Sequence, residues 1–154
     1  MKSLRKDAEQ GDADAQYFLG LRYKDGLGVP QDDAEAVRWC RKAAEQGHAN
    51  AQNKLGHCYY HGEGVTQDYA EAAKWYRLAA EQGDAFSQLS LGDCYANGDG
   101  VPKDDVLAYM WFNLAGASGF EGAKEARESI SKIMTPEQIA EAQKLSREWK
   151  PKGQ

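Results

Sequence analysis

The stretch "AEQGHANAQNKLGHCYYHGEGVTQDYAEAAKWYRLA", residues 44–79, decides the fold, because the chain contains it three times. Residues 8–43 read "AEQGDADAQYFLGLRYKDGLGVPQDDAEAVRWCRKA", and residues 80–115 read "AEQGDAFSQLSLGDCYANGDGVPKDDVLAYMWFNLA". The offset is 36 residues each time, with no gap. A period of this length marks a stack of supersecondary units. Each unit buries its apolar face against its neighbours. Residues 5–11, "RKDAEQG", match residues 41–47, "RKAAEQG", like the end of an earlier copy, and residues 1–10 predict a partial helix. Residues 116–151 begin as a fourth copy and then diverge.

Each unit reads as two helices. The first spans roughly Ala13 to Lys24 in copy one, and a Gly-x-Gly-Val turn follows it. Asp32 caps the second helix with Glu35 at its third position, the spacing of a capping box. Asp68 and Glu71 repeat the arrangement, whereas in copy three Asp104 is followed by Leu107. Gly11, Gly47, Gly83 and Gly119 stand where a C-terminal glycine ends a helix. The Gly62/Gly64 pair superficially suggests a phosphate loop. It recurs three times and follows a helix rather than a strand, so it reads as a turn. Gly20, Gly56 and Gly92 fall inside the first helices, where glycine costs about 1 kcal/mol relative to alanine. Their recurrence predicts a ring packed close against them, and the recurring Trp39, Trp75 and Trp111 are the expected rings.

The unit pattern A-E-Q-G-x-A-x-A-Q-x-x-L-G-x-x-Y-x-x-G-x-G-V, continued by Asp68, Ala72, Trp75 and Ala79 in copy two, resembles the Sel-1-like repeat, a relative of the tetratricopeptide repeat. The resemblance covers about residues 8–120. It implies an all-α protein, a right-handed α/α superhelix of about three full repeats closed by a C-terminal pair of capping helices. It also implies a single domain over residues 1–154, bacterial company, and a protein–protein adaptor. Some secreted, cysteine-rich bacterial members act on β-lactams and carry one disulfide per unit. This chain has three cysteines, Cys40, Cys58 and Cys94, with no such pairs.

Composition sets outer limits. A net charge of −5 disfavours nucleic acid or an anionic membrane as partner, since both select basic patches. No run of about 18 apolar residues suggests a transmembrane helix. The start lacks the apolar core of a signal peptide. An odd cysteine count fits a reducing compartment, so a cytoplasmic location is expected.

Function should lie where the repeats differ. On a wheel of 100° per residue, the repeated Ala49, Ala51, Gln52, Leu55, Gly56 and Tyr59 share one half of the helix. The other half holds positions that change. In copy one these are Asp14, Tyr17, Phe18, Leu21, Lys24 and Asp25. In copy two they are Asn50, Asn53, Lys54, His57, Tyr60 and His61. In copy three they are Phe86, Leu89, Ser90, Asp93, Ala96 and Asn97. In tetratricopeptide-like solenoids the first helices line the concave face, so this half is the expected partner-binding surface. Its aromatic anchors with polar surrounds suit recognition of a protein or extended peptide. A neighbouring chain or the capping helix would account for them as well.

His57 and His61, four apart, have a spacing that can chelate Zn²⁺, with Asp93 or Asn97 as a third ligand. The equivalent copy-one residues are Leu21 and Asp25, and no His-Glu-x-x-His is present. His48 has no evident partner. Cys58 points about 100° from His57, a poor geometry for thiolate activation. Thr135, Pro136 and Gln138 predict a capped last helix with the apolar stripe Ile139, Ala142, Leu145 and Trp149. The expectation is a non-enzymatic scaffold without cofactor or metal, a monomer or weak dimer. The alternatives are an immunity or inhibitor protein for a toxic effector, a β-lactam hydrolase, and a metal-assisted hydrolase.

Overall fold

The computed structural model describes residues 2–152, which form nine helices and no strand among the described residues. In order these are α1 (Lys2–Glu9), α2 (Ala13–Asp25), α3 (Asp33–Glu45), α4 (Ala49–His61), α5 (Tyr69–Glu81), α6 (Ala85–Asn97), α7 (Asp105–Ala117), α8 (Glu121–Ser131) and α9 (Pro136–Glu148). The three copies therefore give the pairs α2/α3, α4/α5 and α6/α7. The chain forms two compact units, residues 1–78 and 79–154, and the division falls inside α5.

In the first unit, Leu19 and Leu55 are fully buried at the centres of two clusters. Trp39 packs with Ala8, Ala15 and Leu19. Trp75 packs with Val37, Ala43, Ala44, Ala51, Leu55 and Cys58. Burying each such leucine is worth about 1.5–3 kcal/mol. In the second unit Leu91, Tyr95, Ala108, Trp111, Phe112, Ala123 and Ala142 are buried. The α9 stripe turns inward there, with the indoles of Trp149 and Trp111 6.1 Å apart.

The repeated polar residues hold the helix ends. Gln16, Gln52 and Gln88 are buried, and each donates its side-chain amide to a carbonyl eight residues back: Ala8 at 3.1 Å, Ala44 at 3.1 Å and Ala80 at 3.2 Å. Each of these carbonyls, near a helix C-terminus, also accepts the amide of Gly11, Gly47 or Gly83 three residues on, and the glutamine fills its second acceptor position. Asp32 caps α3, accepting from the Glu35 amide at 3.1 Å. The capping box does not close there. The Asp32 amide already donates to the Tyr23 carbonyl at 2.9 Å, and Glu35 instead receives Arg38 at 2.9 Å. Asp104 makes the same bond to Tyr95, which explains why Leu107 is tolerated in copy three. The box does close at Thr135 and Gln138.

The close approach at the first-helix glycines is present, but its partner differs from the expected tryptophan. A β-carbon on Gly56 would stand 2.8 Å from the ring of Tyr76, one on Gly92 2.6 Å from Phe112, and one on Gly20 2.7 Å from the sulfur of Cys40. Each partner directly follows the tryptophan, a turn of about 100° around the helix. The tryptophans face the clusters described above, and the next residue fills the gap over the glycine. Gly64 has φ +75°, and a β-carbon there would meet the Asp33 carbonyl oxygen at 2.3 Å. Backbone conformation and space both require glycine at this turn.

Candidate functional site

None of the fifteen candidate residues of the variable half is buried. Asp14, Phe18, Asp25, Asn50, His61, Phe86, Asp93 and Asn97 are exposed. Tyr17, Leu21, Asn53, Lys54, His57, Tyr60 and Leu89 are half-buried. The repeated Ala51, Gln52, Leu55 and Gly56 are buried in the same helix. Helix α4 thus turns its constant side inward and its variable side outward.

In the first unit an aromatic group forms along α2 and α4. The Tyr17 ring lies 5.4 Å from Phe18 and 4.9 Å from the ring of His48. His48 corrects the sequence reading, which gave it no partner. It is the N-cap of α4, and its Nδ1 accepts from the Ala51 amide at 3.1 Å. With Nδ1 accepting, the ring proton sits on Nε2 and is donated to Asp14 at 2.8 Å. The available signal was register, since Asp12 and Asp84 hold the same position and cap α2 and α6. Further along α4, Tyr60 packs 4.7 Å from Tyr69 and 5.1 Å from His61. Tyr69, exposed at the start of α5, belongs to this group and was not anticipated.

The histidine pair sits in an ionic cluster. The rings of His57 and His61 are 4.3 Å apart, and His57 Nε2 is 3.7 Å from a Glu63 oxygen. Glu63 accepts from Lys24, which also lies 3.7 Å from Asp33. The hydrogen bond from Lys24 holds the Glu63 carboxyl below the ordinary value and raises Lys24 in turn. Burial, then the neighbouring His61, pushes His57 down, with Glu63 opposing. Among the described residues no three His, Cys, Asp or Glu side chains converge to hold a metal ion. The three cysteines are buried and free. Burial raises Cys58 and pushes Cys40 and Cys94 up to about 12. Thiols so placed are poor nucleophiles.

In the second unit the variable side of α6 faces the divergent segment. Phe86 and Phe120 meet edge to face at 4.4 Å. Phe120 occupies the N-cap position of α8 in the register of Asp84, and caps nothing with its side chain. Further along α6, Asp93 and Ala96 line a cavity of about 290 Å³ shared with α7 and α8. Its α8 wall comes from the non-repeating segment, so the repeat pattern carried no signal for it.

The Sel1 repeat family model matches residues 13–48, 49–84 and 85–120. Among solved structures, a Sel1 repeat protein from Oxalobacter formigenes is 43% identical, with a TM-score of 0.77, covering 83% of this chain and 96% of its own. The Escherichia coli protein c5321, a protective antigen of uropathogenic strains displaying an SLR fold, is 33% identical with a TM-score of 0.74. That match covers 95% of this chain and 39% of c5321. No curated protein matches the chain.

Proposed function

The chain belongs to the Sel1 repeat family, and from that premise we propose that it binds another protein or an extended peptide through the variable sides of α2, α4 and α6. One observation carries this reading. Folding consumes the repeated half of each helix, while the half that changes between copies stays at the surface with aromatic side chains on it. Phe18 and Phe86 are 51% and 61% exposed, which a plain solvated face has no reason to maintain. Aromatic anchors surrounded by polar groups are the usual carriers of interface energy. The role is that of a scaffold or adaptor without chemistry of its own, and a cytoplasmic location accords with three unpaired thiols. No helix among the described residues is long and apolar enough to cross a membrane.

The test is selection of peptides from a random displayed library on the intact chain, followed by titration against a variant carrying Tyr17→Ala, Tyr60→Ala and Phe86→Ala. Truncating central aromatic anchors should weaken the selected peptides by tenfold or more, about 1.4 kcal/mol or above. Equal affinity for both proteins would refute the reading.

A further inference from the structure

The cavity on α6 narrows the partner's chemistry. Its lining is mostly apolar, with Ala96 of α6, Phe112 of α7, Ala126 and Ile130 of α8 and Ile133 just beyond, alongside Ser129 of α8. Ile133 is 69% exposed at the mouth. About 290 Å³ lies at the small end of ligand pockets. It suits one inserted side chain better than a cofactor.

The rim is ionic and unbalanced. Lys103 is already paired with Asp105 at 2.5 Å. Asp93 forms no ion pair among the described residues. Partial desolvation of its carboxyl, then the like charge of Asp99, raises Asp93 above the ordinary carboxylate value. A cation beside it would offset the like charge of Asp99 and favour the ionised carboxylate. The net charge of −5 favours approach of a basic partner.

Building on the peptide-binding reading, we infer that the cavity receives an apolar side chain of a peptide whose next residue is Lys or Arg, with the cation lying against Asp93. The chain's own Trp149–Lys150 has this character. Trp149 is packed on Trp111, so a second folded copy does not offer it.

Three fluorescein-labelled hexapeptides test this by anisotropy against the full chain: one with a central Leu-Lys, one with Leu-Glu and one with Ser-Lys. The Leu-Lys peptide should bind about tenfold more tightly than either control and weaken with added salt. Ile133→Gln and Asp93→Asn change exposed positions and should leave melting unchanged, while each lowers Leu-Lys affinity about threefold or more. Equal binding of Leu-Glu or Ser-Lys overturns the inference, as do unaffected variants or no Leu-Lys binding up to about 1 mM. A concentration-dependent dimer dissolved by Ile133→Gln would assign the cavity to a second copy and also overturn it. If library-selected peptides still depend on Tyr17, Tyr60 and Phe86 while the Leu-Lys series fails, only this inference falls. If both fail, the binding reading falls with it.

Discussion

Gly56 and Tyr76 are in contact so close that a β-carbon on the glycine would stand 2.8 Å from two carbons of the ring. The contact joins α4 to α5 within one repeat, and Gly92 with Phe112 reproduces it in the next. Gly56→Ala should therefore destabilise the protein by about 1–3 kcal/mol through overpacking, despite the better helix propensity of alanine. For a chain of this size that is a fall of roughly 2–4 °C in Tm per kcal/mol. Calorimetry of Gly56→Ala, Tyr76→Ala and the double variant checks it. The two changes should couple, the double variant losing less than the sum. An unchanged Tm for Gly56→Ala would contradict the packing.

The buried glutamines make a second case. Gln52 gives its amide to the Ala44 carbonyl at 3.1 Å while remaining 4% exposed. Gln52→Leu keeps the volume but removes one of two donors to that carbonyl, which keeps the Gly47 amide at 3.0 Å. A loss of about 0.5–1.5 kcal/mol is expected in urea unfolding, with an unchanged m-value. A neutral or stabilising result would show that the hydrogen bond contributes nothing net.

His57 sets a pH dependence. Its folded value lies below the ordinary 6.5, because of burial and then His61, with Lys54 and Lys24 adding to the effect and Glu63 opposing it. The unfolded chain therefore binds a proton more readily than the folded one between the folded value and 6.5. The stability contributed by neutral His57 is complete above 6.5 and is lost as pH falls through that window. Unfolding midpoints measured from pH 7.5 to 5 should decline less steeply for His57→Gln than for the parent. Parallel curves would contradict the assignment.

The thiols give a simple chemical check. With Cys40 and Cys94 pushed up to about 12 and Cys58 raised by burial, the native protein should react negligibly with a disulfide reagent at pH 8. In denaturant all three should react. Rapid native labelling of any one would contradict the burial.

Much of the fold was legible because the packing residues repeat at 36-residue spacing. Leu19, Leu55 and Leu91 report the same buried position three times. What the pattern hid was whatever does not repeat. The residues facing Gly20, Gly56 and Gly92 are cysteine, tyrosine and phenylalanine, so they left no trace, and attention went to the constant tryptophan one step away. His48 looked partnerless because a histidine replaces the aspartates that cap α2 and α6. The variable half of each first helix was readable as a surface. Tyr69, Phe120 and the α8 wall of the cavity were not, since their proximity to that surface is set by tertiary packing rather than by position within the repeat.

The central claim is that the changing side of each first helix is the side that meets a partner. Hydrogen–deuterium exchange of the intact chain, with and without a library-selected peptide at saturation, tests it most directly. Slowed exchange in α2, α4 and α6, with α3 and α9 unaffected, is the predicted result; protection confined to α3 and α9 would contradict it.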